Sequence, residues 1–113
     1  MRKQNPSARA IRLILNNGIK SGDTFFSVYL LRSDAEKNNL YTANIAKKRV
    51  KLSVGRNRYK RWMRASYHKN KAKLKGFDVL IMPRQAIASL DSFSGVDASI
   101  NSLFDAALKK AGI

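Results

Sequence analysis

The chain has 113 residues, and 23 Lys and Arg against 7 Asp and Glu give it a formal net charge of +16. That length fits one domain over residues 1–113, and 44% hydrophobic residues are too many for a disordered basic tail. The lack of cysteine, the single His68 and apolar runs far short of the ~20 residues of a membrane span exclude disulfides, thiolate chemistry, two-imidazole metal sites and a transmembrane helix.

Met1 to Asn5 reads as a flexible basic arm. Ser7 is a candidate N-cap after Pro6, and Ile11, Ile14 and Leu15 recur at helical spacing up to a stop at Gly18. Gly22-Asp23 is turn chemistry, with an early short strand allowed before it. The aromatic and β-branched run from Thr24 to Leu31 then predicts a strand. A polar hairpin loop over Ser33–Asn39 returns the chain through a second strand near Tyr41–Ala46. From Ser53, the candidate N-cap, to Lys71 no proline interrupts a helical pattern. Tyr59, Trp62, Met63, Ser66 and Tyr67, with Leu74 beyond, form one stripe; Asn57, Lys60, Arg61, Arg64, His68 and Lys71 form the opposite one. Phe77 to Met82 is a nearly continuous apolar run ended by Pro83, which predicts a fully buried central strand. After a loop with Ser92, Ser94 and Gly95, a last helix carries Val96, Ile100, Leu103, Phe104, Ala107 and Leu108 on one side. These elements predict an α+β fold, an α/β sandwich of αβββαβα order.

The charge is unevenly placed. The 41 residues between Glu36 and Asp78 contain fourteen cations and no carboxylate. Ordinary surfaces mix signs, so a polyanion is the expected partner: it relieves self-repulsion and releases its own condensed counterions. The seven acids are isolated from one another, which leaves no cluster suited to a divalent cation, and no metal site or catalytic residue is assigned. His68 falls among cations, where contact with phosphate or solvent is expected rather than acid–base work. Arginine forks match phosphate geometry, and Asn57 can both give and accept a hydrogen bond, as a nucleotide edge or a 2′-hydroxyl requires.

The run Arg56-Asn57-Arg58, followed by Lys60-Arg61 and Arg64 and preceded by Lys47-Lys48-Arg49, resembles the protein subunits of bacterial ribonuclease P. The similarity extends to the helix ending at Gly18, the strand Phe26–Tyr29, the Gly76-Phe77-Asp78 entry to the buried strand, Pro83-Arg84, and the closing helix. It implies a small mixed sheet with the Arg-rich helix in a left-handed βαβ crossover. It also implies an accessory subunit of a ribonucleoprotein endoribonuclease, in which a catalytic RNA, holding most of the Mg²⁺, matures the 5′ end of tRNA. By position, Arg56, Asn57, Arg58, Lys60, Arg61, Arg64, Lys47, Lys48 and Arg49 would bind the catalytic RNA. Ile11, Arg12, Leu15, Phe26, Val28, Tyr29 and Arg84 would line a cleft for the 5′ leader of precursor tRNA. Where such subunits often carry aromatic rings this chain has Ile11 and Leu15, and Lys51 stands where glycine is common.

The other readings of the same residues are a small basic rRNA-binding protein of the ribosome, a stand-alone endonuclease using His68 with a carboxylate such as Asp78, and a DNA architectural protein. Duplex DNA and membranes are not the expected partners. No signal-like segment opens the chain, and a cytoplasmic location is the corresponding expectation.

Overall fold

The structure is a computed structural model that describes residues 6–34 and 38–112, with side chains from residue 8. The arm expected over residues 1–5, residues 35–37 of the loop and the side chain of Ser7 lie outside the described residues; the expected hairpin is not formed, because β4 lies between the strands on either side of that loop. The elements are α1 (Pro6–Asn17), β1 (Ile19–Gly22), β2 (Phe26–Arg32), β3 (Leu40–Thr42), α2 (Ser53–Lys69), β4 (Phe77–Pro83) and α3 (Phe93–Lys110), with a 3-10 turn at Gln85–Ser89. The order is the αβββαβα predicted from the sequence.

The strands lie in the order β1-β2-β4-β3, antiparallel except for the parallel pair β3 and β4. The apolar run of β4 is central because both its faces are covered. In its register with β2, Val28 pairs with Ile81 and Leu30 with Val79. Side chains alternate along a strand, so Phe26, Val28, Leu30, Phe77, Val79 and Ile81 share one face. All six are at most 1% exposed, packed with Tyr59, Met63 and Tyr67 of α2 and Val96, Ile100 and Phe104 of α3. Burying each such side chain is worth about 1.5–3 kcal/mol. The opposite face carries Ser27, Tyr29, Leu31, Leu80 and Met82. There α1 packs on β2 and β4, with Ile14 and Leu80 buried.

The handedness of the β3-α2-β4 crossover follows from backbone chirality. The Val79 N–H donates to Asn39 O and Ile81 O accepts from the Ala43 N–H, so both residues turn their peptide groups toward β3. Their side chains point to α2 and α3. For L-residues this puts β3 to the right of β4 when the sheet is viewed from the helices with both strands running upward. The chain therefore moves leftward through a helix in front of the sheet, which is the uncommon left-handed form.

Element boundaries moved for local reasons. Asp23 Oδ1 accepts from the N–H groups of Phe25 and Phe26, both at 2.8 Å, so the turn consumes Thr24 and Phe25 and β2 starts at Phe26. The strand expected over 41–46 is only Leu40–Thr42. Leu52, not Ser53, is the N-cap of α2, and no side chain caps it. The last helix begins at Phe93, ahead of Gly95, because Ser92 caps it by accepting from the Gly95 N–H at 3.2 Å.

A polar seam locks α2 to α3. Ser66, fully buried, donates to Asp97 Oδ1 at 2.8 Å, and Lys69 Nζ meets Asp97 Oδ2 at 2.5 Å. Asn70 donates to Ser66 O at 2.7 Å and also bonds Asn101. Burial alone would push the Asp97 carboxyl up. The hydrogen bonds from Lys69 and Ser66, the Lys69 charge and Asn101 outweigh it and hold the group below the usual carboxylate range.

A depressed folded-state value means that Asp97 stabilises the fold above its unfolded pKa and stops doing so as the pH falls through the folded one. Asp97→Ala leaves the Ser66 hydroxyl without an acceptor and should cost about 1–3 kcal/mol in urea unfolding at neutral pH. The gap from wild type should narrow in acid, below the ordinary carboxylate range. Gly76, at φ +91°, opens β4 while its N–H donates to Asn38 Oδ1 at 2.9 Å. Gly76→Ala should cost about 1–2 kcal/mol from backbone strain alone, read as a lowered denaturation midpoint.

Candidate nucleic-acid interface

Helix α2 supplies a cationic face because its other side is fixed. Tyr59, Met63, Ser66 and Tyr67 are buried, and Trp62 is half-buried, edge-on to Tyr59 at 5.5 Å. Tyr59 is anchored further by donating its hydroxyl to Leu90 O at 2.6 Å, and burial pushes its phenol pKa up. The opposite side then projects Asn57, Arg58, Arg61 and Arg64 as exposed side chains, with Lys60 half-buried. From Asn57 to Arg64 the helix rises ~10 Å, and to Lys69 about 18 Å, long enough to follow several phosphates.

Among the described residues none of Arg58, Lys60, Arg61 and Arg64 has a carboxylate partner. Four of the seven acids are occupied elsewhere: Asp97 with Ser66 and Lys69, Asp105 with Lys73 at 2.6 Å, Asp23 with the β2 turn and Ser99, and Asp78 with the Asn39 N–H. The ion pairs thus take cations beyond Arg64 and leave the arginine end open. Arg58 lies 5.9 Å from the centre of the Trp62 ring, which restrains it without neutralising it. Like charges held this close repel, and a polyanion removes that penalty.

Arg56 is also tied to the fold. Its Nη1 donates to Val50 O at 2.9 Å and Lys51 O at 2.8 Å, fastening the incoming loop to the first turn of α2. Gly55 is needed at the same place, since a Cβ there would come within 2.9 Å of Val50 Cγ1. Arg56 therefore stands half-buried as a brace for the loop that carries Lys47, Lys48 and Arg49. Lys47 and Lys48 are exposed and Arg49 is half-buried.

The second expected surface, on the α1 side of the sheet, needs a larger correction. Phe26 and Val28 are 0% exposed and lie on the opposite face, in the main core, so they cannot line a cleft under α1. Strand alternation assigns Tyr29 to the α1 face instead, where it is half-buried with Lys20 Nζ 5.8 Å from its ring centre. Ile11 is half-buried, Arg12 is exposed and Leu15 is 40% exposed. Arg84 is exposed and tethered, donating from Nη1 to Asp23 O at 2.7 Å. It shares a depression of about 470 Å³ with Arg49, Thr24 and Gln85, so one residue expected at each surface meets here.

The same face brings in residues that sequence reasoning passed over. Register aligns Lys20, Tyr29, Leu80 and Tyr41 across the four strands, and Ser27 with Met82 in the next row. Tyr41 and Met82 are half-buried there. Their signal is the strand order, which no single strand's composition carries. Among the described residues no three His, Asp or Glu side chains gather into a group that could hold a metal ion. No helix among them is long and apolar enough to cross a membrane.

Comparison with known proteins gives a consistent result. The family model for Ribonuclease P matches residues 6–108. The ribonuclease P protein component of Azotobacter vinelandii is 46% identical over 48 residues, 42% of this chain and 37% of that protein. The counterpart in Stutzerimonas stutzeri matches to the same extent. The match thus spans little more than a third of these curated relatives. Among solved structures, the Staphylococcus aureus RNase P protein superposes with a TM-score of 0.74 at 19% identity, over 94% of this chain and 93% of that one. The Thermotoga maritima RNase P protein gives 0.72 at 24% identity, over 89% and 94%. At such identities the superpositions speak for a shared fold.

Proposed function

The chain belongs to the ribonuclease P protein family, and from that premise we propose that it is the protein subunit of a cytoplasmic ribonuclease P, assisting the endonucleolytic 5′ maturation of tRNA. The observation that carries this reading is the α2 face on which Arg58, Lys60, Arg61 and Arg64 stand without carboxylate partners among the described residues. That face docks onto the catalytic RNA, with Asn57, Lys47, Lys48 and Arg49 beside it. The RNA performs the hydrolysis and holds most of the Mg²⁺, for which the described residues gather no cluster of ligands.

The protein contributes electrostatics and grip. Its cations screen phosphate repulsion where two RNA molecules converge, so that metal ions enter the RNA site at lower bulk concentration. The surface between α1 and the sheet holds the single-stranded 5′ leader of precursor tRNA. Ile11 and Leu15 offer an aliphatic wall, Tyr29 and Tyr41 offer rings on the sheet, and Arg12 and Arg84 offer charge at the rim. A mature tRNA lacks the leader, so this contact favours substrate over product. A ribosomal rRNA binder or a stand-alone nuclease is less well supported, since neither accounts for the family membership.

Reconstitution with a bacterial ribonuclease P RNA at low Mg²⁺ should restore leader cleavage; cleavage by the protein without RNA, abolished by His68→Ala, would overturn the reading. Arg58→Ala with Arg61→Ala should weaken assembly with the catalytic RNA and flatten the log–log salt dependence by roughly 0.7–0.9 for each lost phosphate contact. Tyr29→Ala should weaken binding of precursor tRNA by about ten-fold, the worth of one stacked base, and leave mature tRNA unchanged. Equal loss of both would remove leader recognition from the α1 surface.

A further inference from the structure

A second concavity lies at the C-terminal end of α2, beyond the arginine face and away from the α1 surface. Tyr67, His68, Lys71, Leu74 and Lys75 face Asn38 there across about 770 Å³. That volume is in the range of small-ligand sites, ~300–1,000 Å³, and is far larger than a lone phosphate needs.

Its chemistry is specific. His68, Lys71 and Lys75 are exposed, and neither lysine has an ion pair among the described residues. No carboxylate among those residues lines the space, and Asp78, whose charge Tyr67 feels, is engaged by the Asn39 N–H. The His68 ring stands edge-on to the buried Tyr67 at 5.5 Å, leaving the imidazole braced on one side and open on the other. Asn38, held in place by accepting from the Gly76 N–H through Oδ1 at 2.9 Å, walls the space on the far side.

We propose that this concavity seats one unpaired nucleotide of an RNA strand. Lys71 and Lys75 hold the flanking phosphates, and the open side of His68 stacks on the base. Cations around a ring platform are the usual composition of single-strand sites. The inference goes beyond the proposed function, because it assigns a separate site and does not depend on which RNA supplies the strand.

The test is an NMR titration of the full-length protein with a uridine tetranucleotide at low salt. Saturable shifts of the His68 and Lys71 amides and the Asn38 side-chain amide are expected. The double variant Lys71→Ala, Lys75→Ala should weaken binding at these resonances by about five-fold or more, and Lys51→Ala, Lys109→Ala, with the same loss of charge, by less than about two-fold. Shifts confined to other surfaces, or equal weakening by both double variants, would overturn the proposal. Failure of leader cleavage in reconstitution would sink the ribonuclease P reading and leave this titration unaffected, so the two can fail separately.

Discussion

The seam between α2 and α3 governs what the molecule can present to a polyanion. Met63 and Tyr67 enter the core, Ser66 and Lys69 engage Asp97, and Asn70 bonds Asn101, so the rotation of α2 about its own axis is fixed at several points. Apolar burial alone would tolerate a modest roll of the helix. Directional bonds to a buried carboxylate do not, since a roll would strand Ser66 and Asp97 without partners. Arg58, Arg61 and Arg64 are thereby held outward in one row, and their mutual repulsion is carried by the packing on the other side.

The same seam determines where that row ends. The carboxylates of α3 sit opposite Lys69 and Lys73, and their pairing takes two cations out of play near the C-terminal end of α2. The arginine half of the helix has no such counterweight among the described residues. A docking surface with a defined edge discriminates between positions on an RNA fold, whereas a uniformly charged rod would slide along any phosphate backbone.

Much of this was legible in the sequence, and the failures have physical causes. The stripe Tyr59, Met63, Ser66, Tyr67 gave α2 its inner face directly, because helical periodicity over seventeen residues leaves few alternatives. The apolar run Phe77–Met82 likewise identified a strand covered on both sides. Phe26 and Val28 were misplaced because alternation says which residues share a face but not which face meets which helix; that depends on α3 covering β1 and β2. Tyr41 was missed for a related reason, since its alignment with Tyr29 requires β4 to lie between β2 and β3. Arg56 reads as one more phosphate ligand, and only the path of the Val50–Lys51 backbone shows that its Nη1 also braces the loop.

One modest contact has a wider effect. At the outer border of the sheet, β1 bears Lys20, and Lys110 from the end of α3 donates to the Lys20 carbonyl at 2.7 Å. An open strand border ordinarily invites a neighbouring copy to extend the sheet. Here the acceptor is taken by an ammonium group and a second one stands beside it, so an approaching strand meets charge instead of a vacant rung. Two lysines thus guard this border against self-templated clumping.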